Sequence, residues 1–123
     1  MALLQHHDDS GTFHFDWLLA QQQDCEDIDA RVVRTYRCGL RVDQAIPAGG
    51  IDLEQISDHR WFYLGLKKPH TLSRGRGIVT PLANGWWRGG EVVELRWDHD
   101  DVVRRYQITD LPVSRLVAVD PVR

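Results

Sequence analysis

The sequence predicts a mostly β fold: a single small barrel of about eight strands, antiparallel or mixed, with at most a short helix. Two observations support this prediction, the many short runs rich in β-branched and aromatic residues and the turn signals that separate them. Short strands joined by short connections are typical of closed or nearly closed barrels. With 123 residues the chain fits one domain, residues 1–123, with one hydrophobic core.

The second of two N-terminal strands separates aromatic from polar side chains. The first predicted strand spans Ala2 to His6, and the second spans Thr12 to Ala20. In the second, aromatic residues at every other position alternate with His14 and Asp16. Because successive side chains of a strand point to opposite faces, we expect the aromatic face and the His/Asp face on opposite sides of the sheet.

Six further strands and one helical turn complete the prediction. The strands are Arg31 to Cys38, Trp61 to Leu66, Gly77 to Leu82, Glu91 to Trp97, Val102 to Thr109 and Arg115 to Val119. The connections are a polar loop at Gln21 to Asp29 and turns at Pro47 to Gly50, Lys67 to His70, Asn84-Gly85, Gly89-Gly90 and Asp98 to Asp101. A helical turn is predicted at Asp52 to Ser57, which is too short to anchor a helical layer.

Charge and the N-terminal sequence limit the functional classes. The net charge of −3 gives no global attraction to nucleic acid, so any recognition of phosphate must be local. Only two of the fifteen basic residues are lysines, and arginine suits bidentate phosphate contacts, although a bias toward arginine codons explains the same composition. Without an export signal or a long apolar stretch, we expect a cytoplasmic protein with no membrane partner and with reduced Cys25 and Cys38.

The first candidate site is a metal site formed by His7, His14 and Asp16. His14 and Asp16 are two residues apart in a strand, so they project from one face with α-carbons roughly 7 Å apart. The end of the preceding strand supplies His7 as a third ligand. Two imidazoles and a carboxylate suit a borderline divalent ion such as zinc, manganese or iron. The alternative is a solvated His/Asp-rich N-terminus with a hydrogen-bonded pair of His14 and Asp16.

The second candidate is a pair of residues for proton transfer, His59 and Tyr63. Both follow Asp58 near the start of a predicted strand, where His59, Trp61 and Tyr63 alternate onto one face. An imidazole and a phenol that line one cavity are suited to proton transfer and to hydrogen bonding of phosphate. The alternative is a surface or capping histidine at the start of a strand.

The third candidate is a phosphate cradle at Ser73 to Gly77. Its glycines permit a tight turn whose backbone N–H groups, together with Arg74 and Arg76, can surround an oxyanion. Arg60 is a further candidate for the basic rim of the same pocket. The alternative is an ordinary turn between strands, because Gly/Arg turns are common.

The order of these motifs resembles the 3′-phosphoesterase domain of bacterial DNA ligase D and its short stand-alone relatives. That family has a His, then a His-aromatic-Asp strand, an Asp-His stretch with a Tyr four positions after the His, and a Gly-rich turn before a Gly-aromatic pair. The resemblance covers roughly Leu3 to Trp97. The matching elements are, in order, His7, His14-Phe15-Asp16, Asp58-His59 with Tyr63, Ser73 to Gly77, and Gly85-Trp86.

The resemblance implies a β-barrel that holds a manganese-type ion on His7, His14 and Asp16 and contacts substrate phosphate through His59 and Tyr63. Zinc is the alternative metal. The implied reaction removes a 3′-terminal phosphate or ribonucleotide from the primer end of a nucleic acid. The implied setting is DNA repair, with the 3′ ends of nucleic acid as substrate and a repair ligase or polymerase as a candidate partner.

Two departures concern the candidate ligands and the family's N-terminal arm. The spacing from His7 to His14 is one residue longer than the usual family pattern, which leaves His6 as the alternative ligand. No counterpart is expected for the N-terminal arm of the ligase domain, which also contributes functional side chains.

A third departure concerns the grip on phosphate. Leu18 stands where the family has an arginine that contacts phosphate, and Arg74 or Arg76 is the candidate replacement. The alternative function is therefore a binding module for phosphate or nucleic-acid ends, which keeps the fold and the metal site without hydrolysis. An enzyme requires His59 and Tyr63 to face the metal ligands across a cavity.

Overall fold

The computed structural model of the protein describes residues 1–90, 92–110 and 113–119. Within these ranges it contains nine β-strands and one 3₁₀ helix, Trp61–Gly65. The strands are β1 (Ala2–His7), β2 (Phe13–Ala20), β3 (Arg31–Cys38), β4 (Ile51–Arg60), β5 (His70–Thr71), β6 (Ile78–Arg88), β7 (Val93–Trp97), β8 (Arg104–Thr109) and β9 (Arg115–Ala118). No helix in the described ranges is long and apolar enough to cross a membrane.

Eight of the strands close into an antiparallel barrel. They follow the order β1-β2-β3-β4-β9-β8-β7-β6, and β6 pairs with β1 to complete the circle. The ninth strand, β5, pairs with the beginning of β6 outside this circle. The prediction of a mostly β barrel of about eight strands is therefore confirmed.

Two predicted elements are wrong in type. Residues 52–57, predicted as a helical turn, belong to β4, where Ile51 and Leu53 enter the core at alternate positions and the strand pairs with both β3 and β9. Within the predicted strand Trp61 to Leu66, residues 61–65 form the 3₁₀ helix instead. The backbone N–H groups of Trp61 and Phe62 donate to the carbonyls of Ala30 and Ile28, so this segment leaves the barrel ladder and folds over its outside.

The Asn84-Gly85 pair is not a turn, because β6 runs straight through it. At Gly85 the strand changes neighbours, from β1 to β7. The Gly85 N–H donates to the carbonyl of Met1, and a Cβ at this position would lie 2.3 Å from the carbonyl oxygen of Arg96. Only glycine permits this close approach of two strands.

The predicted strand boundaries near the C-terminus differ in two places. Val102 and Val103, predicted as strand residues, precede β8 and are exposed. Glu91, the first residue of another predicted strand, lies outside the described residues.

The expected separation of faces in β2 is present and produces two apolar layers. Phe15, Trp17 and Leu19 point into the barrel, where Trp17 is fully buried and replacement by alanine should cost about 3–5 kcal/mol of stability. The intervening Leu18 points outward into a smaller apolar layer, which the 3₁₀ helix covers with Trp61 and other side chains. The polar residues of the candidate site share this outer face.

Candidate metal and phosphate site

The pairing of β1 with β2 brings three candidate ligands together on the outer face of the barrel. His6 lies directly opposite His14, and Leu4 lies opposite Asp16. Side chains at directly paired positions project from the same face of a sheet. One ligand atom each from His6, His14 and Asp16 therefore lies within 4.8 Å of the others.

His7, expected as the third ligand, does not lie in this group of side chains. It is the neighbour of His6 in the same strand, so its side chain points to the opposite face. There it lies opposite Phe13, with the two ring centroids 5.3 Å apart, and it is exposed. The alternative ligand from the sequence, His6, occupies the position facing His14.

His14 and Asp16 each have a buried polar atom that lacks a hydrogen-bond partner and could bind a cation. The Nε2 atom of His14 lies 3.2 Å from Oδ1 of Asp16, and the Asp16 side chain is only 3% exposed. The two atoms are not aligned for a hydrogen bond, and neither has another partner among the described residues. Buried polar atoms without partners are costly, so two imidazoles and a carboxylate converging here fit a divalent cation.

The orientation of His6 also suits a metal ligand. Its Nε2 atom lies 2.7 Å from the carbonyl oxygen of Arg76. A carbonyl can only accept, so Nε2 carries a hydrogen, and in the neutral ring Nδ1 is then the nitrogen with the lone pair. Ligating histidines commonly donate their second N–H to a backbone carbonyl in this way, which fixes the ring.

The environment of His14 favours the neutral imidazole that a metal requires. Burial lowers the pKa of His14 below its ordinary value, and the charges of Arg37 and His6 act in the same direction. The nearby carboxylate of Asp16 opposes this shift without reversing it. A neutral His14 offers its lone pair without first losing a proton.

Asp8, in the same acidic N-terminal stretch, has a structural role instead. Its carboxylate accepts hydrogen bonds from the hydroxyls of Ser10 and Thr12 and from the backbone N–H groups of both residues. These bonds lower the pKa of Asp8 to about 2 and organise the turn between β1 and β2. The turn holds His6 and His14 in register.

His59 and Tyr63 meet beside Asp16. The Nε2 atom of His59 lies 3.5 Å from Oδ2 of Asp16, and its Nδ1 donates to the carbonyl of Ser57 over 3.2 Å. Tyr63 belongs to the 3₁₀ helix, so the expected alternation along a strand is wrong, but the two rings still lie 5.7 Å apart. The helix folds the chain back over the sheet. It is therefore this helix, and not a strand, that positions Tyr63 beside His59.

A basic pocket of about 450 Å³ connects these residues. Arg60 and Arg76 line it as the sequence predicted, and the guanidinium of Arg76 is held by the carbonyl and hydroxyl of Ser73. Arg74 is wrong as a lining residue, because it is exposed, adopts a φ of 59° and lies outside the pocket. Asp16 is the one carboxylate among the lining residues.

Two further arginines of the pocket, Arg31 and Arg37, are absent from the sequence-based prediction. Arg37 lies directly opposite Asp16 in the pairing of β2 with β3. Leu18, in contrast, is fully buried in the outer apolar layer. The alternation of β3 predicts that Arg31 and Arg37 face outward together, but only the register reveals which residues they meet.

Comparisons of the chain with protein-family models, curated proteins and solved structures found no match. The functional assignment therefore depends on the residues of the site and on their geometry.

Proposed function

We propose that the protein is a metal-dependent phosphoesterase that removes a 3′-terminal phosphate or ribonucleotide from nucleic-acid ends. The proposal combines the resemblance to the ligase D phosphoesterase domain with the corrected ligand set His6, His14 and Asp16. A manganese-type ion fits these ligands, with zinc as the alternative. The natural partner of such an activity is a repair ligase or polymerase that needs a free 3′ hydroxyl.

The observation that supports this proposal most is the juxtaposition of buried Asp16 with a pocket rich in arginine. The orphaned Oδ1 of Asp16 and Nε2 of His14 point to a cation. The four arginines that line the pocket together with Asp16 point to an anion. A site that favours both a divalent cation and a polyanion is characteristic of enzymes acting on phosphate esters.

The chain's own residues have distinct roles in this reaction. Arg37 and Arg76 hold the phosphate oxygens through bidentate hydrogen bonds. Tyr63 accepts a hydrogen bond from Arg60 over 3.3 Å, so its own O–H is directed to a phosphate oxygen. The Nδ1–H of His59 donates to the carbonyl of Ser57, and its Nε2 faces the pocket. In the imidazolium form Nε2 carries a second proton, which it gives to the leaving 3′ oxygen.

A bound divalent ion supplies a Lewis acid that polarises the phosphoryl group and favours ionisation of a water molecule. His6, His14 and Asp16 would hold it with three protein ligands, which leaves coordination positions open.

A binding module without hydrolysis is the second candidate, and one observation favours it. Leu18, at the position of the family's arginine, is fully buried in the outer apolar layer. An arginine at position 18 would disturb this packing, so β2 does not supply the arginine contact to phosphate that the family has. Arg37 can replace this contact in binding phosphate. It belongs to β3, however, and reaches the phosphate from a different direction.

The test is manganese-dependent release of phosphate, or of a terminal ribonucleotide, from 3′-phosphorylated and 3′-ribonucleotide primer–templates. His14→Ala should abolish release, and His59→Ala should lower kcat by about 10²–10⁴-fold. The matched control is His7→Ala, which removes a neighbouring imidazole that faces away from the site and should retain full activity.

Three outcomes separate the candidates. Full activity in His59→Ala would remove the proposed proton donor. Release that is equal in wild type and His14→Ala would exclude this site as its source. A wild-type protein that binds manganese and 3′-phosphorylated DNA but releases nothing would be the binding module.

A further inference from the structure

Arg31 and Arg60 form an unusual pair at one end of the pocket. They are direct partners in the pairing of β3 with β4, and both line the pocket. Like charges at directly opposed positions destabilise a sheet. Asp29 neutralises Arg60 through a contact of 2.8 Å, whereas the ion pairs of the described residues include none to Arg31. An anion between the two arginines would supply the counter-charge that Arg31 lacks.

Arg31, the first member of the pair, is separated along β3 from the candidate metal ligands. Arg31 begins β3 and Arg37, opposite Asp16, lies near its end. Six residues of extended strand span up to roughly 20 Å. A phosphate held beside Asp16 and Arg37 is much smaller than this span, so the arginines at the far end can contact a second group.

Arg60 is held in place for such a contact. Its guanidinium lies 5.2 Å from the ring centroids of both Phe62 and Tyr63 and donates to the Tyr63 hydroxyl. Its two terminal nitrogens each donate one N–H, to Asp29 and to Tyr63. The edge formed by Nε and the second N–H of the nitrogen that contacts Tyr63 remains for bidentate hydrogen bonds to an anion. Because the side chain is already ordered, binding a phosphate there loses little conformational entropy.

We propose that Arg31 and Arg60 form a second phosphate subsite, which binds the next phosphodiester along the strand from the reacting 3′ phosphate. The inference rests on the proposed function and narrows its substrate class to nucleic-acid ends with at least two phosphate groups. A small phosphomonoester fills only the end of the pocket beside Asp16.

The test compares two ligands that differ by one nucleotide, and so by one phosphate group: thymidine 3′-monophosphate and the 3′-phosphorylated thymidine dinucleotide. Each competes with a fluorescein-labelled, 3′-phosphorylated octamer for the protein in EDTA, where no hydrolysis takes place. Arg31→Gln should weaken the dinucleotide about tenfold, as expected for loss of one charge-assisted contact, and leave the mononucleotide within about twofold.

The matched control is Arg34→Gln. Arg34 is an exposed arginine of the same strand, but it lies opposite the core residue Leu19 and therefore faces the other side. Arg34→Gln should change the affinity for neither ligand. Thermal unfolding of both variants checks that they remain folded.

Equal weakening of both ligands by Arg31→Gln, or no weakening of either, would overturn the subsite. Manganese-dependent release, measured on the same ligands, separates this inference from the proposed function. A selective loss of dinucleotide affinity without any release would support the subsite and contradict the enzyme. Release without a selective loss of dinucleotide affinity would support the phosphoesterase and contradict the second subsite.

Discussion

His6 and His14 are direct partners in the ladder between β1 and β2, and their rings meet edge to face with centroids 4.9 Å apart. The next residue, His7, points to the opposite side. Two adjacent histidines with the same chemistry thus lie on opposite faces of the sheet, because the strand is pleated. This pair offers a sharp test of the candidate metal site.

Replacing His6 should weaken manganese binding, whereas replacing His7 should not. His6→Ala removes an imidazole within 4.8 Å of the other candidate ligand atoms, so we expect affinity to fall by at least about tenfold. Isothermal titration with manganese chloride measures the change. Equal affinities for His6→Ala and His7→Ala would contradict the assigned ligand set.

Arg37 should contribute to substrate binding, although none of the motifs identified in the sequence includes it. Arg37→Gln removes the guanidinium opposite Asp16, and we expect kcat/KM on a 3′-phosphorylated primer to fall about 10–100-fold. Arg34→Gln, on the other face of β3, is the control. An effect of Arg34→Gln as large as that of Arg37→Gln would indicate a general loss of positive charge rather than a specific contact.

Gly77 should be required both for stability and for the site. Its φ is +97°, and an added Cβ would lie within 3 Å of the backbone of His7 and Asp8, at the end of the strand that carries His6. Gly77→Ala should therefore cost about 2 kcal/mol or more in urea unfolding. Gly39→Ala, where a Cβ meets open space, should change stability by less than about 1 kcal/mol. Similar values for both variants would contradict the close packing of β6 on β1.

Asp43 should stabilise the protein at neutral pH and lose this effect in acid. Burial alone would raise the pKa of Asp43, but hydrogen bonds from Arg41 and His99, with the Arg41 charge, hold it below the ordinary value of 3.8. A carboxyl with a lowered folded-state pKa contributes stability above its unfolded pKa, and the contribution disappears as pH falls through the folded pKa.

Urea unfolding of wild type and Asp43→Asn, from pH 7 to pH 2, measures this contribution. We expect a difference on the order of 2 kcal/mol that is constant down to about pH 4 and shrinks below it. Asp24→Asn, at an exposed carboxylate, is the control and should show no such difference. A difference between wild type and Asp43→Asn that persists unchanged at pH 2 would contradict the explanation.

The two cysteines should react at very different rates. Both are free thiols, but Cys38 is buried in the barrel, which raises its pKa to about 12, whereas Cys25 is partly exposed. At pH 8 a thiol-specific disulfide reagent should modify one thiol in the native protein and two after denaturation. Cys25→Ser should abolish the rapid phase. Rapid modification of two thiols in the native protein would mean that Cys38 is accessible.

The sequence alone determined the mostly β character of the fold and the two faces of β2. Period-two alternation is a local property, because consecutive side chains of any strand point in opposite directions. It was sufficient to place the aromatic residues of β2 on one face and His14 with Asp16 on the other. The N-terminal sequence likewise contained both candidates for the third ligand.

Only the tertiary structure placed His6 rather than His7 beside His14, brought Arg37 to Asp16, and placed Arg31 opposite Arg60. Each of these relationships depends on the register between strands, which long-range packing and bulges set and which a one-residue shift would reverse. The same applies to residues 52–57, whose short apolar pattern fits a helix or a strand until β3 and β9 pair with it. Local sequence determines which face a side chain takes, but pairing partners distant in the chain determine what that side chain meets.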